Sequence, residues 1–273
     1  MNVSELYCAP NIETDDMAFT CFEYTELVEI AKAFNKWVKI SKKKWPLVEL
    51  LESKYDLHKA IDNSLKKMCK TEYCWTKLDF IEKIPDQDLR LKLKYFTFKP
   101  ETTKKSGSWL STNHINEIMH QYEKKFDTFK FLGAVPADIS RILQKSKLIP
   151  PFQNVGIIFN KDTHGKPGSH WVSCFIQGVS SPSDNGIKTI EYFDSLGGKP
   201  NKYIQEFLDL YTTRGFTLTI NNIVHQQDSN LCGVYACYFL IQRLKGRTFN
   251  EINANIITDE FMAKCKEEYF RPR

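Results

Sequence analysis

HQQDSNLCGVYACYFLIQRLKG, residues 225–246, is the stretch from which the rest of the chain can be read. It opens polar and turns apolar at Cys232. Val234, Ala236, Phe239, Leu240 and Ile241 then follow so densely that a buried helix over 232–246 is predicted. A thiol at the first position of that helix would face unpaired backbone N–H groups and the positive end of the helix dipole, both of which favour a thiolate. Gly233, directly after it, has no side chain and lets a backbone pass close to a substrate. Cysteine is also among the most often buried residue types, so Cys232 taken alone needs no reaction to account for it. Cys237, deeper in the helix among Val234, Ala236 and Phe239, reads as core.

Outward from this helix the pattern is one of short strands and helices. VGIIFN (155–160), HWVSCFIQ (170–177), KTIEYFD (188–194) and FTLTINNIV (216–224) are strand candidates, separated mostly by turn-rich segments such as KDTHGKPGS and SSPSDNG. NKYIQEFLDLYTTRG (201–215) fits a helix between two strands, closed by Gly215. WLSTNHINEIMHQYEKKF (109–126) suits a helix starting near Ser111 or Thr112, and ITDEFMAKCKEEYF (257–270) a last one. Residues 17–100 read as helical. Phe22, Leu27, Ile30, Ala31 and Phe34 recur at spacings of three to four, and WPLVELLESKYDLHKAIDNSLKKMC repeats the pattern with Pro46 in a first turn. DFIEKIPDQDLRLKLKYFTF is a third, weaker helical piece. KPETTKKSGS (99–108) has no apolar period and marks a linker. The expected layout is a helical N-terminal domain (1–98), a linker (99–108) and an α+β domain (109–273), in which helices flank a mixed central sheet.

The composition is that of an ordinary globular protein. Of 273 residues, 42% are hydrophobic and 26% charged, and the net charge of +5 is small and dispersed. Such a balance neither demands nor excludes a nucleic-acid partner, and Lys42–Lys44 is a short run that suits a solvated helix face. No apolar run approaches the roughly 18 residues of a membrane helix, so no membrane insertion is expected. The start, MNVSELYCAP, lacks the basic flank and apolar stretch of a secretory signal. These features predict a reducing, intracellular setting in which the eight cysteines are mainly free thiols. Cys69/Cys74 and Cys232/Cys237 are each five apart, which is not zinc-knuckle spacing, and neither a metal nor a cofactor is expected.

A thiol becomes an efficient nucleophile beside a base, and histidine is the usual one near neutral pH. Of six histidines, His170 stands where a Gly-rich turn meets a strongly apolar strand, a place where rigid scaffolds present functional groups. His58 and His120 sit in polar helical surroundings, His164 in a loop and His114 in a first helical turn, while His225, next to Gln226, is the rival. Asp194 closes the strand KTIEYFD at a similar location and could fix the tautomer of an imidazole. Gln226, six residues before Cys232, offers a neutral amide donor for an oxyanion, an interaction worth about 3 kcal/mol in a hydrolase. Each signal is weak singly; their order and spacing are not.

HW (170–171), YFDSL (192–196) and HQQDSNLCGVYAC (225–237), with 24 residues from His170 to Asp194 and 38 from Asp194 to Cys232, resemble the adenain and SUMO-specific protease superfamily of cysteine peptidases. WLSTNHINEIM (109–119) resembles the helix that opens that family's catalytic domain, so the likeness spans about residues 109–245. The resemblance implies His170 as base, Asp194 as its orienter, Cys232 as nucleophile and Gln226 as oxyanion donor. It also implies Trp171 and, less directly, Trp109 as walls of a channel that admits a Gly-Gly backbone; core packing of both tryptophans is the lesser alternative. The helical leader and IEYFDSLGG (190–198) resemble the core-polyprotein proteases of large DNA viruses of the African swine fever virus kind, although that type has Asn at the position of Asp194. The implied function is cleavage after Gly-Gly in viral structural polyproteins during particle maturation, in host cytoplasm and virion. An isopeptidase acting on SUMO or ubiquitin-like modifiers is the alternative within the family. A non-catalytic capsid or nucleic-acid-associated binding protein is the alternative from another class, and an acyltransferase would use the same thioester. No feature supports a nucleic-acid or peptide activator.

Overall fold

The computed structural model describes residues 7–14, 18–41, 44–102, 109–179, 188–227 and 230–272. Lys42 and Lys43, residues 103–108 of the expected linker, the whole SSPSDNG turn, and Asp228–Ser229 lie outside the described residues. The chain divides into two compact units, residues 1–99 and 100–273.

The first unit is helical. Its long helix, α1 (Tyr24–Ser41), turns Leu27, Ile30, Ala31, Phe34 and Val38 inward, each 6% exposed or less. Burying a side chain of that size contributes about 1.5–3 kcal/mol. Helix α2 (Lys54–Leu65) starts later than the apolar pattern predicts, because Ser53 caps it by accepting from the Asp56 N–H. The preceding WPLVELL stretch is irregular instead of helical: Asn35 clasps Val48 through both its N–H and its carbonyl at 2.8 Å each, so the side chain takes the place of helical hydrogen bonds. DFIEKIPDQDLRLKLKYFTF breaks into a 3-10 turn (Asp79–Lys83), a short helix (Gln87–Leu91) and a π-helical turn (Lys92–Phe96).

The cysteines of this unit correct the expectation of mainly free thiols. Cys8 bonds to Cys21 and Cys69 to Cys74, with Cα–Cα separations of 5.4 and 5.5 Å that allow a disulfide. Cys174, Cys232, Cys237 and Cys265, all in the second unit, are free. His58 is not a solvated residue either: it bonds to Glu72 and packs against the rings of Phe19 and Trp75.

The second unit is α+β. Helix α3 (Thr112–Lys125) is capped by Ser111, whose side chain accepts from the His114 N–H while the His114 ring accepts from the Ser111 N–H. Five strands follow: β1 (Phe129–Pro136), β2 (Asn154–Asn160), β3 (Trp171–Gln177), β4 (Thr189–Phe193) and β5 (Thr217–Ile220). They form one mixed sheet in chain order, with β1–β2 and β4–β5 parallel and the two central pairings antiparallel. β1 was not expected. Gly133 in a positive-φ conformation and a register shift between Phe131 and Ala134 interrupt the alternation that would have announced it. Strand β5 stops at Ile220, short of the predicted 224.

Helix α4 (Lys202–Thr212) crosses over between β4 and β5; α5 (Cys232–Leu244) and α6 (Asp259–Tyr269) follow. Alternation of period two sorts the strand residues between two cores. Phe129, Phe131, Ile158, Phe175 and Phe193 pack with α3, α5 and α6; Val155, Ile157, Phe159, Cys174, Ile190 and Tyr192 pack with α4. Helices on both faces are why β2 and β3 read as unbroken apolar runs. Glu101–Thr102, placed in the linker by their composition, instead pair in parallel with Arg271–Pro272, and the Arg271 Nη2 to Glu101 Oε1 distance is 2.7 Å.

Candidate active site

Three chain segments converge at one end of the sheet. Cys232 is the first residue of α5, and the cap position, Leu231, supplies no side-chain acceptor to the first-turn N–H groups. His170 immediately precedes β3. Asp194 immediately follows β4. With Ser173 opposite Phe193 in the antiparallel pair, His170 and Asp194 are diagonal neighbours across the two strands. His170 Nε2 lies 2.7 Å from Asp194 Oδ1. A side-chain hydrogen bond with Cys232 is among the interactions that raise the His170 pKa, which sets the Cys232 sulfur beside the imidazole.

The electrostatics follow from that geometry. Burial works against a charged His170, but the hydrogen bonds to Asp194 and Cys232 outweigh it and lift its pKa to about 9. Asp194 is fully buried, which by itself would raise its pKa. The bonds and charge of His170, the Leu196 N–H at 2.9 Å and the Lys161 ammonium at 3.1 Å hold the carboxyl below its ordinary value. The arrangement therefore keeps an imidazolium beside a carboxylate near neutral pH, with the Cys232 sulfur beside the ring.

Gln226 is buried, and its Oε1 accepts from Ser195 Oγ at 2.7 Å. Its backbone N–H, like that of His225, donates to the Ser195 carbonyl, so the segment leading to Cys232 is fastened beside Asp194. The rival base is tied up. His225 Nδ1 accepts from the Ile257 N–H at 3.1 Å, Nε2 lies 3.1 Å from Asn253 Oδ1, and the buried ring stacks on Phe193. Burial lowers its pKa, so it is held as a neutral core imidazole.

The two tryptophans have different surroundings. Trp171 is 7% exposed and donates through Nε1 to the Leu110 carbonyl at 3.0 Å; Trp109 is 45% exposed, and its Nε1 donates to Asn230 Oδ1. Gly233 is buried, and a Cβ there would lie 3.0 Å from Leu110 Cβ and 3.3 Å from Trp171 Cδ1. The close approach that Gly233 permits is thus to Leu110 and Trp171.

Four supporting residues escaped sequence reading. Lys161, Ser195 and Gly198 surround Asp194, and Asn221 brackets the Asp194 backbone, accepting its N–H at 2.7 Å and donating to its carbonyl at 2.9 Å. Only the strand register would have pointed to Lys161, because its N–H pairs with the His170 carbonyl. A polar INN directly after an apolar strand was the available hint for Asn221. Among the described residues, no group of three or more His, Cys, Asp or Glu is placed to hold a metal ion, and no helix is long and apolar enough to cross a membrane.

Comparison with known proteins shows the family to which the chain belongs. Residues 110–272 match the model of the Ulp1 protease family, C-terminal catalytic domain. A putative thiol protease, R355 of Acanthamoeba polyphaga mimivirus, is 33% identical over 279 residues, covering 92% of this chain and 89% of that protein. The cysteine protease S273R of African swine fever virus is 30% identical over 129 residues, 44% of this chain and 45% of that protein. Its crystal structure superposes with a TM-score of 0.64 over 99% of this chain and 97% of the other, at 21% identity, a likeness of fold. With a family model over most of the second unit and a relative matched along nearly the whole length, the chain belongs to the Ulp1 protease family and is a cysteine peptidase.

Proposed function

We propose that this peptidase cleaves after Gly-Gly and processes structural polyproteins during viral particle maturation, with Cys232 as nucleophile, His170 as general base and acid, Asp194 as the orienter of His170, and Gln226 as an oxyanion donor. The observation that carries the reading is the His170 imidazole held between Asp194 and the thiol that opens α5. In this scheme the Cys232 sulfur attacks the carbonyl carbon and its proton resides on His170. The tetrahedral oxyanion is met by the Gln226 amide and by first-turn N–H groups of α5. His170 then protonates the departing amine, leaving a thioester, and water assisted by His170 releases the acid and restores the thiol.

Leu110, Trp171 and Gly233 pack closely at the start of α5, and glycine selectivity would follow where the substrate passes beside them, since a chain without Cβ atoms fits where others clash. The relatives named as thiol and cysteine proteases come from viruses, which suits a viral setting for this reading. On this reading residues 109–273 are the catalytic domain and residues 1–98 an accessory one that positions substrate or partner. Several relatives in African swine fever virus bear the name SUMO-1 cysteine protease, which favours an isopeptidase as the second reading.

The test is cleavage of a viral polyprotein peptide containing Gly-Gly, run beside SUMO and ubiquitin conjugates. Selective loss of the peptide, abolished by Cys232→Ser, is expected. Consumption of the conjugates alone would favour the second reading, and undiminished cleavage by Cys232→Ser would end both.

A further inference from the structure

Asp194 differs from an isolated triad carboxylate in having a cation on its other oxygen. Lys161 Nζ lies 3.1 Å from Asp194 Oδ2, while Oδ1 faces His170. The lysine is held in place from three directions. Its backbone N–H donates to the His170 carbonyl at 2.9 Å, extending the β2–β3 pairing by one step, so cation and base sit on adjacent strands. Its carbonyl accepts from Asn201 Nδ2 at 2.8 Å, at the N-cap of α4. Its ammonium also reaches the Lys199 carbonyl at 3.5 Å. Gly198 leaves the room this needs: a Cβ there would stand 2.7 Å from Asp194 Oδ2 and 3.3 Å from Lys161 Nζ.

We propose that Lys161 is a positioning residue for the peptidase reaction, anchoring the outer oxygen of Asp194 and offsetting part of its charge, and so setting how far into alkaline pH His170 stays protonated. The proposal rests on the triad reading above. The groups that bear on this carboxylate are His170 and Lys161 from the adjoining strand ends, the Leu196 N–H, and the phenol of Tyr192 on β4; Cys232 acts from beyond the imidazole. Among them Lys161 is the cation that does not take part in proton transfer. Its sign is definite: without it, Asp194 exerts its full negative field on the imidazolium, which then holds its proton to higher pH. Lys161 keeps 27% of its side-chain surface exposed, so solvent screens it and the effect is moderate.

The experiment uses the full chain and two readouts, the pH profile of kcat/KM on a Gly-Gly peptide and the titration of the His170 ring followed by NMR, which needs no substrate. Lys161→Met is expected to move the alkaline limb and the His170 titration upward together by about half to one pH unit. Because the carboxylate loses its anchor, kcat/KM near neutral pH should fall about 3- to 10-fold. Lys161→Arg should restore both, and Gly198→Ala, which pushes the pair apart, should shift the titration in the same direction as Lys161→Met. A uniform loss of rate with an unmoved titration would overturn the proposal, leaving Lys161 as an anchor for the Lys199 loop. So would an Arg variant displaced as far as the Met variant. Either failure is separate from failure of the triad, which is read from Cys232→Ser.

Discussion

Asp194→Asn removes one charge and little volume, so it isolates what the carboxylate does for His170. The imidazole stands at about 9 against an ordinary 6.5, and burial acts in the opposite direction, so its partners supply the whole rise. That rise corresponds to about 3 kcal/mol favouring the imidazolium. Asp194, hydrogen-bonded at 2.7 Å and negatively charged, accounts for the larger share. Its neutral replacement should therefore lower the His170 titration by about 1–2 pH units. The sign is that of a raised folded-state pKa: the stabilisation is complete below the unfolded histidine value and fades as pH climbs through about 9. The assay is kcat/KM on a peptide with Gly-Gly ahead of a fluorogenic leaving group, from about pH 5 to about pH 10, with thermal unfolding as a control on the fold. The variant should lose most near the alkaline end, about 3- to 25-fold at about pH 8.5, and least near pH 6. An alkaline limb that stayed in place, or a loss equal at every pH, would refute the argument that Asp194 works by charge.

The oxyanion side carries its own expectations. Gln226→Ala should cost about 3 kcal/mol, a loss of about 10²-fold in kcat with KM little changed. Ser195→Ala frees Oε1 of Gln226 and should lower kcat about 10-fold by letting the amide turn, with no further loss when combined with Gln226→Ala, as a double-mutant cycle would read. Gly233→Ala places a methyl 3.0 Å from Leu110 Cβ and should destabilise the chain by about 1–3 kcal/mol in thermal or denaturant unfolding. Thiol titration of the unreduced, denatured chain should count four reactive groups, Cys174, Cys232, Cys237 and Cys265, rising to eight after reduction.

What could be read in the sequence was what repeats or stands at an edge. The apolar density after Cys232 announced α5, period-three-to-four spacing announced α1, and the apolar strands announced their own ends, where His170 and Asp194 stand. Residues whose contribution depends on register or on a partner far along the chain were not readable. Lys161 looks like a loop lysine until β2 is laid against β3, and Ser195 like part of a turn until Gln226, thirty-one residues on, folds over it. Competition explains the local misses. The Asn35 clasp on Val48 overrode a helical pattern, and the irregular register at Gly133 hid β1. The disulfides defeated an inference drawn from chain length, because pairing of Cys8 with Cys21 depends on where their Cα atoms come to rest.

The central claim is that one thiol of the eight cysteines, at the mouth of α5, attacks the carbonyl after a glycine pair. It is tested most directly by a substrate-shaped electrophile, a short peptide ending in Gly-Gly with a vinyl sulfone in place of the scissile bond, followed by peptide mapping of the intact protein by mass spectrometry. One equivalent bound at Cys232, absent from His170→Ala and slowed when the glycines are replaced by alanines, is the predicted result. Labelling of another cysteine, or of none, while the protein still cleaves peptides, would contradict it.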